Sequence, residues 1–218
     1  MEANWIWRVI GVLGFALLVS ACHQNGTVFA VDTTDDTVDI TPGDGLCADA
    51  NGNCSLRAAV IEANALPGVE EIRLVDGATY ALTIPGGVED DSFTGDLDIR
   101  SAVVVTGDGT IVGDSGGISV SVDAPVGLTE FDGPNLHIGE RGLWILGGST
   151  VSLRHLSFAD VSAAPVVVED GALTVWSSSF AVSTGSGVHA RQGSVRLENA
   201  TMAGSSRQGL VRVDGSRW

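Results

Sequence analysis

One apolar pattern returns every 22 residues through the last third of the chain, residues 143–218, and it constrains the fold more than any other feature. Trp144, Val166, Val188 and Leu210 occupy equivalent positions, as do Val151, Leu173 and Val195, then Leu153, Val175 and Leu197, then Phe158, Phe180 and Met202. Gly171, Gly193 and Gly215 keep the same step. Each repeat holds three short apolar clusters, two of them alternating with period two, and Gly, Ser, Asn or Asp follows each. Alternation of that period marks half-buried strands, and the punctuating residues mark turns. A fixed interval built from strands predicts an all-β coil of parallel sheets, a parallel β-helix with one repeat per turn.

Such a coil cannot stand alone. One turn buries about five apolar side chains, worth roughly 8 to 15 kcal/mol. Ordering its backbone costs about 1 to 2 kcal/mol per residue, which is more. Stacked turns share hydrogen bonds across a spacing of about 4.8 Å and bury each other's ends, so the repeat demands neighbours and caps.

The chain has 218 residues, 29 of them Gly, with 17% charged and 44% apolar residues, which suits one turn-rich all-β domain. All 11 basic residues are Arg; against 27 acidic ones they leave a net charge of −16. That sign argues against nucleic acid as a partner. The Asp residues crowd between Asp32 and Asp132 and thin out beyond, which reads first as a solvated exterior.

Residues 5–21 form an apolar run, short for a membrane span and suited to the core of an export signal. Val19-Ser20-Ala21-Cys22 resembles the lipobox of bacterial lipoproteins, in which the Cys is acylated and becomes the new N-terminus. An ordinary cleavage after Ala21 is the competing reading. Cysteine arithmetic separates the two: Cys47 and Cys54 are close enough to pair across a turn, leaving Cys22 as the odd thiol and the expected lipidation site. The expected location is the cell envelope, anchored by lipid at the outer membrane or cell surface, or otherwise secreted.

Val28 to Ile40 reads as an opening strand followed by a polar turn, and Pro42-Gly43-Asp44-Gly45 breaks the chain. Ser55 to Leu66 is a helix: Ser55 can cap it, Leu56, Val60, Ala63 and Leu66 share a face, and Pro67-Gly68 stops it. Ahead of a solenoid, its place is across the open end of the first turn. Gly43-Asp44-Gly45-Leu46-Cys47, Cys54-Ser55-Leu56-Arg57-Ala58-Ala59, Glu62-Ala63-Asn64-Ala65-Leu66-Pro67-Gly68 and Gly95-Asp96-Leu97-Asp98-Ile99 together resemble the CSLREA domain. That module of bacterial surface and secreted proteins usually precedes right-handed parallel β-helix repeats. The resemblance spans about residues 28–112 and implies export and a pectin-lyase-like, right-handed solenoid with a helical cap; it implies no known reaction. Ala58 stands where the name motif has Glu.

The expected organisation is a signal peptide at 1–21, an anchor segment, opening strand and cap at 22–68, irregular first turns at 69–142, and regular coils at 143–218 that end partway through a turn. Strand-like runs in the irregular part are Glu71–Leu74, Thr79–Leu82, Asp96–Ile99, Ala102–Val105 and Ile118–Val122, with long loops near 86–94 and 124–142. At the far end, Trp218 folds over the last coil, or the chain is a shortened relative, or the open coil pairs with another copy.

Polysaccharide lyases and glycosidases built on such coils need carboxylates converging on one face. The 22-residue register yields the rows Asp160, Val182, Gly204; Gly147, Glu169, Arg191; Gly148, Asp170, Gln192, Asp214; and Arg154, Trp176, Glu198, none with acids on neighbouring turns. Catalytic candidates in the irregular turns would be Glu89, Asp90, Asp91, Asp96, Asp98 and Arg100. His137, His155 and His189 lack metal-ligand spacing and read as surface or turn residues, and His23 follows the anchor. Asp35, Asp36, Asp49, Asn51 and Asn53 could supply oxygen ligands for Ca²⁺ but lack the remaining features of an EF-hand. The expectation is therefore no metal, no cofactor and no catalytic residue: a surface protein for display, adhesion or binding of a glycan or protein ligand, with a lyase or hydrolase acting on acidic glycans as the alternative.

Overall fold

Inward apolar residues at a constant interval can be satisfied only by piling coil on coil, and the computed structural model is a parallel β-solenoid built that way. It describes residues 26–86, 91–113, 118–120, 128–138, 142–161, 166–182, 187–204 and 211–214. The apolar run 5–21 expected to be an export signal, the expected lipidation site Cys22, His23 and Trp218 lie outside these residues. The chain opens with β1 (Val28–Ala30) and the helix α1 (Leu56–Ala65). The first coil is β2 (Val69–Arg73), β3 (Thr79–Leu82) and β4 (Leu97–Ile99); the second is β5 (Ala102–Thr106), β6 (Thr110–Gly113) and β7 (Ile118–Val120). The third is β8 (Leu128–Asp132), β9 (Asn135–Ile138) and β10 (Leu143–Ile145); the fourth is β11 (Thr150–Arg154), β12 (Ser157–Val161) and β13 (Val166–Glu169). The fifth is β14 (Ala172–Trp176), β15 (Ser179–Val182) and β16 (Val188–Arg191), and the sixth is β17 (Ser194–Glu198), β18 (Thr201–Gly204) and β19 (Val211–Asp214). The first strands of the coils, with β1, make one seven-stranded sheet; the second and third strands make two six-stranded sheets.

The rows that face inward are those the repeat predicts. Val151, Leu173 and Val195 are in register, as are Leu153, Val175 and Leu197. Phe158 stacks on Phe180 with ring centroids 4.7 Å apart and planes 7° from parallel, and Met202 follows in the same row. The stack places one aromatic ring per coil at roughly the strand-to-strand spacing. Gly193 permits the close stacking at a corner, since a Cβ there would sit 2.6 Å from the Gly171 carbonyl oxygen.

Three expectations need correction. The stretch 124–142 is not one long loop: β8 and β9 lie in it, and the step of 22 residues reaches back to Leu128, which pairs with Thr150. Trp144 does not belong to the row of Val166 and Val188, and Leu210, expected there too, lies outside the described residues. Leu143 and Val211 do belong to that row, and Trp144 pairs with Val167. The corner from Leu143 to Thr150 is one residue longer than that from Val166 to Ala172, so the constant interval slips there. A second extra residue between β18 and β19 slips it again, so Asp214 stands beside Arg191 and not in the row of Gln192.

A corner of each later coil uses left-handed backbone. Gly133, His155, Ser177 and Asn199 have φ of 103°, 54°, 47° and 53°, in one column. Only His155, Ser177 and Asn199 incur the steric cost of a Cβ there.

At the front, α1 packs on β2 and β4, and Leu56, Ala59, Val60 and Ala63 join the same buried core as the coils. Ser55 caps it, its Oγ accepting from the Ala58 N–H at 3.0 Å. Ala58 is fully buried. Cys47 and Cys54 form a disulfide beside the helix.

Candidate functional site

Two of the acidic residues near the front, Asp36 and Glu62, fasten the cap. The Arg57 guanidinium is fully buried, its Nε donating to Asp36 Oδ1 at 2.6 Å and its Nη2 to Oδ2 at 3.2 Å. Its other donors reach the carbonyls of Ser92 at 2.8 Å, Gly95 at 2.7 Å and Asp96 at 3.2 Å. Asp36 also accepts from the backbone N–H groups of Thr83 and Ile84, at 2.6 and 2.8 Å. One ion pair thus joins the opening segment, the helix, the end of the first coil's second strand and the segment 91–96. Arg suits this place because its planar fork can serve several acceptors at once.

The Glu62 carboxylate does the same for the breaker motif, accepting from the N–H groups of Gly43 and Gly45, each at 2.5 Å. Both glycines have positive φ, 93° and 86°, which turns the two N–H groups flanking Asp44 onto one acid. Asn64 clamps the next turn: its Nδ2 donates to the Asp98 carbonyl at 2.6 Å, and its Oδ1 accepts from Arg100 N–H at 2.8 Å and Ser101 N–H at 3.2 Å.

Of the acidic catalytic candidates, Glu89 and Asp90 lie outside the described residues. Asp91 pairs with Arg100 at 2.8 Å on the exterior. Asp96 lends its carbonyl to Arg57, and Asp98 is buried with its backbone N–H and carbonyl both bonded to Ser92 Oγ. The structure therefore divides these residues between an exposed ion pair and the cap.

The Asp49 loop also closes on itself: Oδ1 accepts from the N–H groups of Asn51 and Asn53, at 2.8 and 3.0 Å. The Asn53 N–H holds the Asp49 carboxyl below its ordinary range, against the opposing effect of burial, with further help from Asn51 and Thr37. Among the described residues, no three His, Cys, Asp or Glu side chains gather closely enough to hold a metal ion. Burial pushes the Glu70 carboxyl up, partly offset by its own backbone N–H, and its Oε2 lies buried without a hydrogen bond.

A different set of residues comes together on the outer face of the seven-stranded sheet. Strand alternation turns Glu130, Asp132, Arg154, Thr174, Trp176, Arg196 and Glu198 outward, while Phe131, Leu153 and Val175 fill the core and Ser152 is covered by its neighbours. Parallel register stacks Asp132, Arg154, Trp176 and Glu198 in one column, one per coil. The Arg154 guanidinium lies over the Trp176 ring, 4.8 Å from its centroid, and its Nε stands 3.1 Å from Glu130 Oε1 as an ion pair not aligned for a hydrogen bond. His155, at the left-handed corner, meets Asp132 with Nδ1 2.7 Å from Oδ1. A further pair, Glu169 with Arg191 at 2.6 Å, ornaments the adjoining sheet.

Sequence reasoning found the row Arg154, Trp176 and Glu198 but missed Asp132 and Glu130, because their strand was read as loop. Phe131, one coil before Leu153 at the same 22-residue step, was the available signal. Among the described residues no helix is long and apolar enough to cross a membrane. Set beside known family models, curated proteins and solved structures, the chain matches none.

Proposed function

We propose that this chain is an exported, lipid-anchored β-solenoid of the bacterial cell surface that binds a ligand on the outer face of its seven-stranded sheet, without catalysis. The observation that carries the reading is the column Asp132, Arg154, Trp176 and Glu198, flanked by Glu130 and His155. It sets a guanidinium, an indole and several carboxylates on one sheet face, and three of the four strands, β8, β11 and β14, have their opposite sides locked in the core. Such a face is rigid before contact, so little ordering is lost on binding. Alternating donors and acceptors at strand spacing suit a hydroxyl-rich glycan or an extended protein segment. The lipobox-like Val19-Ser20-Ala21-Cys22 and the resemblance to CSLREA proteins support the location.

Two measurements test this. An array of glycans and envelope proteins is probed with the chain and with Trp176→Ala and Arg154→Ala; the reading expects one ligand class bound by the parent and lost by both variants. Binding that survives both substitutions refutes the site. Mass spectrometry of the protein made in a bacterial host, fed a fatty-acid analogue, expects an acylated Cys22; an unmodified Cys22 refutes the anchor.

A further inference from the structure

The outward column of Asp132, Arg154, Trp176 and Glu198 does not begin at the third coil. Parallel register extends it through Thr106 to Arg73 on the first, so one line of side chains crosses six coils. Five steps of strand spacing make that line roughly 24 Å long. A second column beside it carries Glu71, Glu130 and Arg196.

Opposite charges pair along the whole length. Arg73 Nη2 lies 2.9 Å from Glu71 Oε1, Arg154 Nε 3.1 Å from Glu130 Oε1 and Arg196 Nε 2.5 Å from Glu198 Oε1, while His155 meets Asp132. Each pair is part-exposed, and the four carboxylates face three guanidinium groups and one imidazole, so charge nearly balances on this face of a chain with net charge −16. Two donors remain over. Ser152 Oγ and Arg154 Nε are buried without a hydrogen bond among the described residues, although Ser152 stands across from Glu130 in register and two residues from Arg154. An oxygen that parts Arg154 from Glu130 can accept from both, and pairing a buried donor is favourable.

We infer that the ligand of this face is an uncharged linear glycan lying along the solenoid axis, its hydroxyls bridging the charge pairs from coil to coil; this rests on the binding reading given above. A hydroxyl donates and accepts at once, so it serves a carboxylate and a neighbouring guanidinium together. The charged groups of an anionic polymer only accept, and they meet Glu71, Glu130, Asp132 and Glu198. Those of a cationic polymer only donate, and they meet Arg73, Arg154 and Arg196. The charge of the whole chain adds to the repulsion of the anionic one. A peptide strand draws its affinity from main-chain hydrogen bonds at a sheet edge. Here β2, β5, β8, β11 and β14 are each paired on both sides, so their backbones are already engaged.

Isothermal titration calorimetry of the full chain in mild detergent tests this, with circular dichroism as a check on folding. The probes are neutral cello-, manno- and N-acetylated chito-oligosaccharides from the disaccharide upward, with polygalacturonate and a lysine-rich peptide as charged counterparts. One neutral series should bind, its affinity rising with length until the oligomer spans the column and then levelling. Arg73→Ala should weaken the longest oligomer about tenfold and leave the shortest unchanged, because only the long one reaches the first coil. Trp176→Ala should weaken both. No neutral binding, or neutral affinity indifferent to length and to Arg73→Ala, overturns the inference. So does either charged probe binding more tightly than every neutral oligomer; if Arg154→Ala and Trp176→Ala abolish that binding, the site stands and only the ligand class falls. Neutral binding untouched by Arg154→Ala and Trp176→Ala refutes the site and this inference with it.

Discussion

Replacing Arg57 by Ala tests the claim that one buried ion pair holds the cap on the solenoid. The substitution leaves Asp36 with the Thr83 and Ile84 N–H groups but no countercharge, and leaves the carbonyls of Ser92, Gly95 and Asp96 without their donors. With side-chain exposures of 0% for Arg57 and 2% for Asp36, solvent cannot compensate. Removing one partner of such a pair costs about 3 to 5 kcal/mol. For a domain of this size that corresponds to a fall in Tm of roughly 6 to 20 °C. Arg57→Lys keeps the charge but not the fork and should fall between. Asp36→Ala combined with Arg57→Ala should cost less than the sum of the two singles, because each removes the same interaction. Hydrogen exchange read by mass spectrometry locates the damage: residues 55–66 and 91–98 should lose protection, while β14 and β15 keep theirs. A Tm change in Arg57→Ala below about 2 °C, or protection lost evenly along the solenoid, would refute the argument.

Four further outcomes are expected. Phe180→Ala should destabilise by about 3 to 5 kcal/mol in denaturant titration, since it removes one ring of a buried stack and leaves a cavity beside Phe158 and Met202. Ser177→Gly should raise stability by up to about 1 kcal/mol, because its φ of 47° crowds a Cβ; equal or lower stability would contradict the corner assignment. Reducing the Cys47 to Cys54 bond should cost about 2.5 kcal/mol and raise exchange in the cap but not in β14 to β16. Glu70 has its folded pKa raised, so the folded chain retains a proton that the unfolded chain releases; its contribution is most favourable below the unfolded pKa and is lost as pH rises through the folded one. Glu70→Gln should therefore flatten the fall of stability with rising pH across that window, and a steeper fall would refute the assignment.

The sequence by itself determined the coil, because inward positions on stacked turns see only other turns and must stay apolar. Phe158, Phe180 and Met202 announce their column at a constant interval. It determined the helix as well, where Ser55 and Pro67 mark the ends of a pattern that local chemistry enforces. Only the tertiary structure decided that residues 128–138 are strands: Glu130, Asp132 and Asn135 have little strand character alone and pair because β11 and β12 offer a matching edge. It also decided the exact rows, since one added residue in a corner shifts Trp144 and Asp214 without altering the general rhythm. The cap's ion pair and the Asp132 to His155 contact were illegible for a related reason. Asp36 and Arg57 stand 21 residues apart, and Asp132 and His155 stand 23 apart. Hydrophobic periodicity reports which side chains avoid water, whereas a polar contact depends on where the folded backbone brings two distant groups face to face.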